Sequence, residues 1–496
     1  MDALSGLAMG FGAMLTPANL YYCFLGSLIG TMVGVLPGLG PLAALALLLP
    51  VTFTLSPLAG LAMLAAIFYG AMYGGSTTSI LVNIPGEAAS VITCLDGHQM
   101  ALRGRAGAAL GMAALGSFIA GTLSLIVLTF FAPALAAIAI RFGPPENFGL
   151  MALGLVCTLF MITGSKRKGL LMIALGFLLS SVGMDMVNGN ERFTFGFTDL
   201  TAGIELLSVV IGLFGVSEIL LNVESIVRNS LVAEKIRRLM PTWADWKASF
   251  APILRGSGLG FVLGIVPGGG PITASFMSYA MERRIAREPE RFGQGAIEGV
   301  AGPESANNAA VAGSMIPLLS LGIPSNPITA LLLGALIIQG IQPGPLFITQ
   351  RPDLFWGVIA AMYIGNVMLL VLNLPLIGLW VQMLRIPYRF LFPIIVLLSM
   401  VGTYSANKNV FDLWVMLGFG VLGWLLRKLE YDIAPFVLAF VLAPLLEQSL
   451  RQSMTMSGDG AMILFQRPVS AGLVAASMLL LVLIFIRQFQ RKRGDS

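Results

Sequence analysis

Charge and histidine are what this sequence does largely without. Lys, Arg, Asp and Glu make up 11% of 496 residues and apolar residues 57%, whereas soluble domains are roughly one-quarter charged. So few charged groups cannot cover a water-soluble surface, and the chain reads as an all-α polytopic membrane protein. One histidine, His98, excludes multi-histidine metal centres and histidine-based catalytic dyads elsewhere. Cys23, Cys94 and Cys157 lie in apolar sequence without metal-ligand spacing, which excludes both a disulfide framework and a zinc site. The opening MDALSGLAMG has no basic region of the kind a cleaved signal peptide carries.

Uncharged runs of span length recur at 58–79, 107–140, 147–164, 170–184 and 473–486, and 206–221 is interrupted by Glu218 alone. A helical span needs about 20 apolar residues, so roughly ten to twelve crossings are expected, together with broken segments. The net charge of +5 does not point to nucleic acid, because the basic residues sit in short clusters beside apolar runs, as loop anchors do. The sequence divides into an N-terminal membrane half (1–223) and a linker with an amphipathic helix around Trp243 and Trp246 (224–250). A C-terminal membrane half (251–486) and a basic tail (487–496) follow.

Two octets break the apolar pattern, GVLPGLGP at 34–41 and GIVPGGGP at 264–271. Proline removes a backbone donor and glycine weakens a helix, so each octet should interrupt one. In lipid such a break is tolerated where protein or a water-filled cavity surrounds it. The octets lie 230 residues apart, and Gly26, Gly30 and Gly34 match Gly256, Gly260 and Gly264 at that same spacing. A second echo pairs Ile84-Pro85 with Ile323-Pro324 at a spacing of 239. The loop after the first octet is uncharged, whereas MERRIAREPER after the second holds four arginines. By the positive-inside rule the two loops face opposite sides, which makes an inverted repeat with broken, re-entrant hairpins and a cytoplasmic C-terminus. Matching interruptions in two such halves mark the midplane site of a transporter.

No Lys or Arg occurs before Arg103, between Arg255 and Arg283, or between Arg291 and Arg351. An anion held here relies instead on helix ends, backbone N–H groups, hydroxyls, amides and co-bound cations. The candidate binding residues are Pro37, Gly38, Gly40, Ser76, Thr77, Thr78, Asn83 and Pro85 in the first half. In the second they are Pro267, Gly268, Gly270, Glu304, Asn307, Asn308, Pro324, Ser325 and Asn326. Packing kinks are the alternative for the glycines. Pro303-Glu304-Ser305 reads as a helix start, so Glu304 is either a coupling carboxylate or a cap. Glu87 faces the same choice. Asn307 and Asn308 offer carbonyl oxygens for a sodium ion as well as N–H donors for a carboxylate.

These motifs resemble the large membrane subunit of tripartite tricarboxylate transporters, the TctA family. The resemblance rests on GVLPGLGP, YGGSTTSILVNIPGEAAS, LDGHQMALRGRAG, GIVPGGGP and the long segment PERFGQGAIEGVAGPESANNAAVAGSMIPLLSLGIPSNPITALLLGAL, and reaches to about Gln350. The family typically carries Tyr where this chain has His98. The resemblance implies a bacterial inner-membrane importer of di- and tricarboxylates driven by sodium or protons. It also implies a smaller four-helix membrane subunit and a periplasmic solute-binding protein as partners, and no cofactor beyond the coupling ion. A carrier working without a binding protein is the nearer alternative. An intramembrane enzyme is the more distant one, since no Ser–His pair or paired intramembrane aspartates support it.

Overall fold

The breaks dictate the architecture of the computed structural model, which describes residues 2–36, 40–162, 165–185, 188–224, 239–383, 388–457 and 460–494. The first half runs α1 (Ala3–Met14), α2 (Pro17–Val35), α3 (Pro41–Thr52), α4 (Pro57–Val82), α5 (Val91–Leu102) and α6 (Ala106–Ala139). Next come α7 (Pro144–Met161), α8 (Lys166–Ser180), a two-stranded hairpin, and α9 (Leu206–Val210) leading through a π-turn segment to α10 (Ser217–Glu224). The second half repeats the pattern with α11 (Trp243–Ile265), α12 (Gly270–Ile285), α13 (Glu298–Leu321), α14 (Pro327–Ile338), α15 (Phe347–Gln350) and α16 (Pro352–Asn373). Six more helices complete the chain: α17 (Ile377–Met383), α18 (Tyr388–Asn407), α19 (Val410–Lys428), α20 (Ala434–Met456), α21 (Ile463–Gln466) and α22 (Pro468–Gly494).

Among the described residues seven helices are long and apolar enough to cross a membrane, or eight if the bent pair at 460–484 counts as one. Shorter apolar helices such as α3 and α14 account for further hydrophobic runs, because each is the arm of a broken hairpin. Trp243 and Trp246 do not form a separate surface helix. They open α11, with Thr242 as its N-cap, and residues 225–238 of the expected linker lie outside the described residues.

The stops and starts are local chemistry. Thr16 and Ser56 cap α2 and α4 ahead of Pro17 and Pro57, which suit the first helical turn because its N–H groups lack intrahelical partners anyway. α4 ends on Asn83 at φ 58° and α13 on Gly322 at φ 70°, both left-handed, and each is followed by an Ile-Pro. Beyond the prolines, Glu87 forms a capping box with Ser90, and Asn326 forms one with Thr329. Asn83/Gly322, Glu87/Asn326 and Ser90/Thr329 all obey the spacing of 239. The second echo is therefore a repeated turn.

The glycine pattern then builds the core of each half. A Cβ on Gly26, Gly30 or Gly34 of α2 would lie within 2.3–2.5 Å of the carbonyl oxygens of Met63, Ile67 and Ala71 on α4. On α11, Gly256, Gly260 and Gly264 stand in the same relation to Gly302, Ala306 and Ala310 of α13, at 2.1–2.4 Å. One side of these contacts repeats at 230 and the other at 239, so both spacings meet in one helix–helix interface. Small residues permit such approach in a medium where association depends on close packing.

The halves also exchange arms. α5 and α6 pack on α13 of the second half, and α14 and α16 pack on α4 of the first. Gly116 of α6 sits over Ser305 and Ile253, whereas Gly365 of α16 sits over the equivalent Ala66 and Cys23. Gly258 of α11, by contrast, faces open space. Gly260→Ala should therefore cost about 1–3 kcal/mol through overpacking, while Gly258→Ala should be neutral or stabilise by roughly 0.5–1 kcal/mol. Thermal unfolding of the purified variants in detergent checks this, and equal melting temperatures would refute the close-packed interface.

Candidate functional site

The exchanged arms create a polar centre in an apolar interior. Glu304, Asn307 and Asn308 occupy successive positions on one face of α13 and are fully buried. Thr93 of α5 donates to Glu304 Oε1, and Asn307 Nδ2 donates to Oε2 at 3.3 Å. Ser76 of α4 also reaches this carboxyl. Asn308 Nδ2 donates to Ser117 Oγ of α6 at 2.8 Å and to Asn307 Oδ1 at 2.5 Å, while Ser117 Oγ donates to the Glu304 carbonyl at 3.2 Å. Helices from both halves thus meet on one carboxyl group.

None of these partners of Glu304 is basic. A carboxylate stripped of water and surrounded only by hydroxyls and amides is expensive in an apolar interior, so it calls for a proton or a cation. Asn308 Oδ1 and Ser305 Oγ are buried without a hydrogen-bond partner. Such orphaned oxygens demand an explanation, and a bound water or ion is an ordinary one. Carboxylate, amide and hydroxyl oxygens form the donor set a small hard cation prefers. Beside the cluster, Tyr73, Ser76, Thr77, Ser117 and Asn373 line a narrow recess.

Glu304 is not a helix cap. α13 begins at Glu298 and runs through Pro303, whose carbonyl accepts a bond from Ser275 Oγ at 3.2 Å. The Pro-Glu-Ser signal mimics a helix start, but neighbouring groups in a membrane interior can accommodate a proline in mid-helix. Glu87 does cap, accepting from Ala89 N at 2.6 Å.

The other candidates divide by half. In the first, Thr78 Oγ1 donates to the Val35 carbonyl at 2.6 Å, and Gly86 lies against the Gly34 carbonyl, so the two breaks touch. Asn83 and Pro85 shape the turn, whereas Pro37 and Gly38 lie outside the described residues. In the second half Gly268 N donates to Ser325 O at 2.8 Å, and Gly270 approaches Asn326. Pro267 and Gly268 press on Gly154 and Thr158 of α7. Asn326 Oδ1 accepts from Ile328 N and Thr329 N, and Pro324 completes that turn. The breaks form one cluster per half, and it is the first half's hairpin that Ser76 and Thr93 join to Glu304. His98 Nδ1 rests 3.0 Å from the Ile80 carbonyl, at the end of α4.

Sequence reasoning passed over Thr93, Ser117, Tyr73 and Asn366. Tyr73 Oη donates to Asn366 Oδ1 at 2.7 Å, tying α4 to α16. Lone hydroxyls and amides in apolar helices carry no pattern of their own. The spacing of 249 between Gly116-Ser117 and Gly365-Asn366 becomes visible only once the arms are placed.

Broken hairpins in two related halves around a buried polar centre are the architecture of a multi-pass membrane transporter. Residues 20–438 match the family described as Tripartite tricarboxylate transporter TctA family. The chain belongs to that family. It is 50% identical over 493 residues, 99% of this chain and 98% of the other, to an uncharacterized 52.8 kDa protein in the TAR-I ttuC' 3' region of Agrobacterium vitis. An uncharacterized protein in the TAR-II ttuC' 3' region of the same organism is 51% identical over 236 residues, 48% of this chain and 98% of the other. No solved structure matches.

Glycines of the two breaks are not interchangeable. Among the described residues nothing lies within 4 Å of a Cβ on Gly40 (φ −69°), whereas a Cβ on Gly268 (φ +81°) would meet Thr158 Cα at 2.4 Å. Gly268→Ala should lower the melting temperature and largely abolish uptake, while Gly40→Ala should fold and transport like the wild type. Identical behaviour of the two variants in reconstituted uptake would contradict this geometry.

Proposed function

We propose that this chain is the substrate-translocating subunit of a secondary uptake system that imports di- or tricarboxylates across the bacterial inner membrane, coupled to sodium or protons. The observation that carries the reading is the Glu304, Asn307 and Asn308 cluster, which hydroxyls from the first half close and to which no arginine or lysine among the described residues bonds. A multiply charged anion crossing such a centre brings its own counter-ions. The Ser76 and Thr77 hydroxyls and Asn308 offer contacts to substrate, and Glu304 with the orphaned oxygens of Asn308 and Ser305 offers the cation a place. Alternating access follows when the two halves open in turn, the arginine-rich 283–291 segment and the C-terminus being cytoplasmic and the 53–56 loop outside. A small four-helix membrane subunit and a periplasmic binding protein that delivers the substrate complete the system.

Counterflow in proteoliposomes carrying the assembled system, with a panel of labelled carboxylates in the presence and absence of sodium, tests this reading. Wild-type protein should exchange one or more carboxylates and depend on one of the two cations. Glu304→Gln should remove pH dependence from a proton-coupled carrier, or weaken sodium activation by about ten- to hundredfold, the loss expected from a contact to a charged group. Exchange of no carboxylate, or unaltered dependence on both ions in Glu304→Gln, would refute it.

A further inference from the structure

A second buried carboxyl, Asp96, lies one helical turn beyond Thr93 on α5 and has no part in the cluster around Glu304. Its Oδ1 accepts from three backbone amides, Gly293 N at 2.9 Å, Gly295 N at 2.7 Å and Ala296 N at 2.8 Å. Its Oδ2 accepts from Tyr279 Oη of α12 at 2.9 Å, and Tyr279 is braced edge-on by Phe292. The loop is shaped for this grip. Gly293 and Gly295 sit at φ +83° and +95°, where side chains are disfavoured, and a Cβ on Gly299 would meet Asp96 Oδ2 at 2.4 Å. Convergent backbone amides of this kind are an anion receptacle, and here the anion comes from the opposite half of the protein.

The repeat shows what the matching place on the other half lacks. The spacing of 239 places Gly60 opposite Gly299 and Ala335 of α14 opposite Asp96. Gly60 instead faces the Gln339 side chain, whose Nε2 donates a long bond of 3.4 Å to the Thr52 carbonyl. Two related closures thus differ greatly in strength. α5 also carries both contacts on one face, Thr93 to Glu304 and Asp96 to the loop, about 4.5 Å apart along the helix axis at 1.5 Å per residue. A translation of this short helix that moves one of these contacts moves the other with it.

We infer that Asp96 is the latch that keeps the first half's hairpin closed on the 293–296 loop, and that movement of Thr93 relative to Glu304 releases it, opening the site to that face. The face is cytoplasmic in the orientation proposed above, and the coupling to substrate rests on that reading. The strong closure is then the inner one. An occupied site pulls Thr93 off Glu304, α5 carries Asp96 out of its receptacle, and the path opens where Gly293 to Ala296 had sealed it.

The test uses the full chain with Cys23, Cys94 and Cys157 replaced by Ser and Thr77→Cys as reporter, labelled by a membrane-impermeant thiol reagent from each face of oriented vesicles. Asp96→Ala should raise the labelling rate from the loop's face by about ten- to hundredfold and leave the other face unchanged, the shift expected from losing bonds to a charged group. Asp96→Asn, which keeps an acceptor oxygen for the amides, and Tyr279→Phe, which removes one donor, should raise it less. These two milder variants decide the matter if Asp96→Ala does not insert. Unchanged labelling in them, or an equal rise from both faces, would overturn the latch. If they open the site but no carboxylate protects Thr77→Cys, the latch stands and the substrate reading falls.

Discussion

Two helix pairs touch backbone to backbone, and everything else in this fold depends on that contact. α2 meets α4, and α11 meets α13, at glycines whose absent Cβ leaves room for a carbonyl oxygen. Because the pairs are this close, the breaks after α2 and α4 land beside each other, as do those after α11 and α13. Thr78 Oγ1 on the Val35 carbonyl and Gly268 N on the Ser325 carbonyl are the consequence. Backbone freed from helix hydrogen bonds in a membrane interior needs such partners, and the paired breaks supply them to one another.

Exchange of arms turns two such units into one machine. α5 and α6 leave the first half to cover α13, while α14 and α16 leave the second to cover α4. The polar centre at Glu304 exists only because of this exchange, since its hydroxyl partners Thr93, Ser76 and Ser117 all come from the other half. A charge placed there does not belong to either half alone. Any motion between the halves must remake those bonds, which is what links the chemistry of the site to a change of shape.

Much of this was legible in the sequence because glycine and proline mark backbone geometry directly. The two spacings, 230 and 239, could be read from GVLPGLGP, GIVPGGGP and the two Ile-Pro pairs, and they recur as the two sides of one interface. Glu304 was also visible as a lone intramembrane acid. Its setting was not, because Pro303 imitates a helix start and only the surrounding helices show that α13 runs through it. Asp96 escaped notice because its partners are chiefly backbone amides about two hundred positions away, at separations of 197, 199 and 200 residues. Amides carry no sequence signature. Asn366 and Asn373 escaped because beyond Gln350 the chain offers apolar helices alone, and their role depends on where α16 docks.

The account's central claim is that these two halves, alike in packing, face opposite ways across the membrane. Single cysteines at Thr54, in the exposed loop after α3, and at Arg287, in the exposed loop after α12, test it most directly through impermeant-reagent labelling of intact cells and of inverted vesicles. The account predicts labelling at Thr54 from the outside only and at Arg287 from the cytoplasmic side only. Labelling of both from the same face would contradict it.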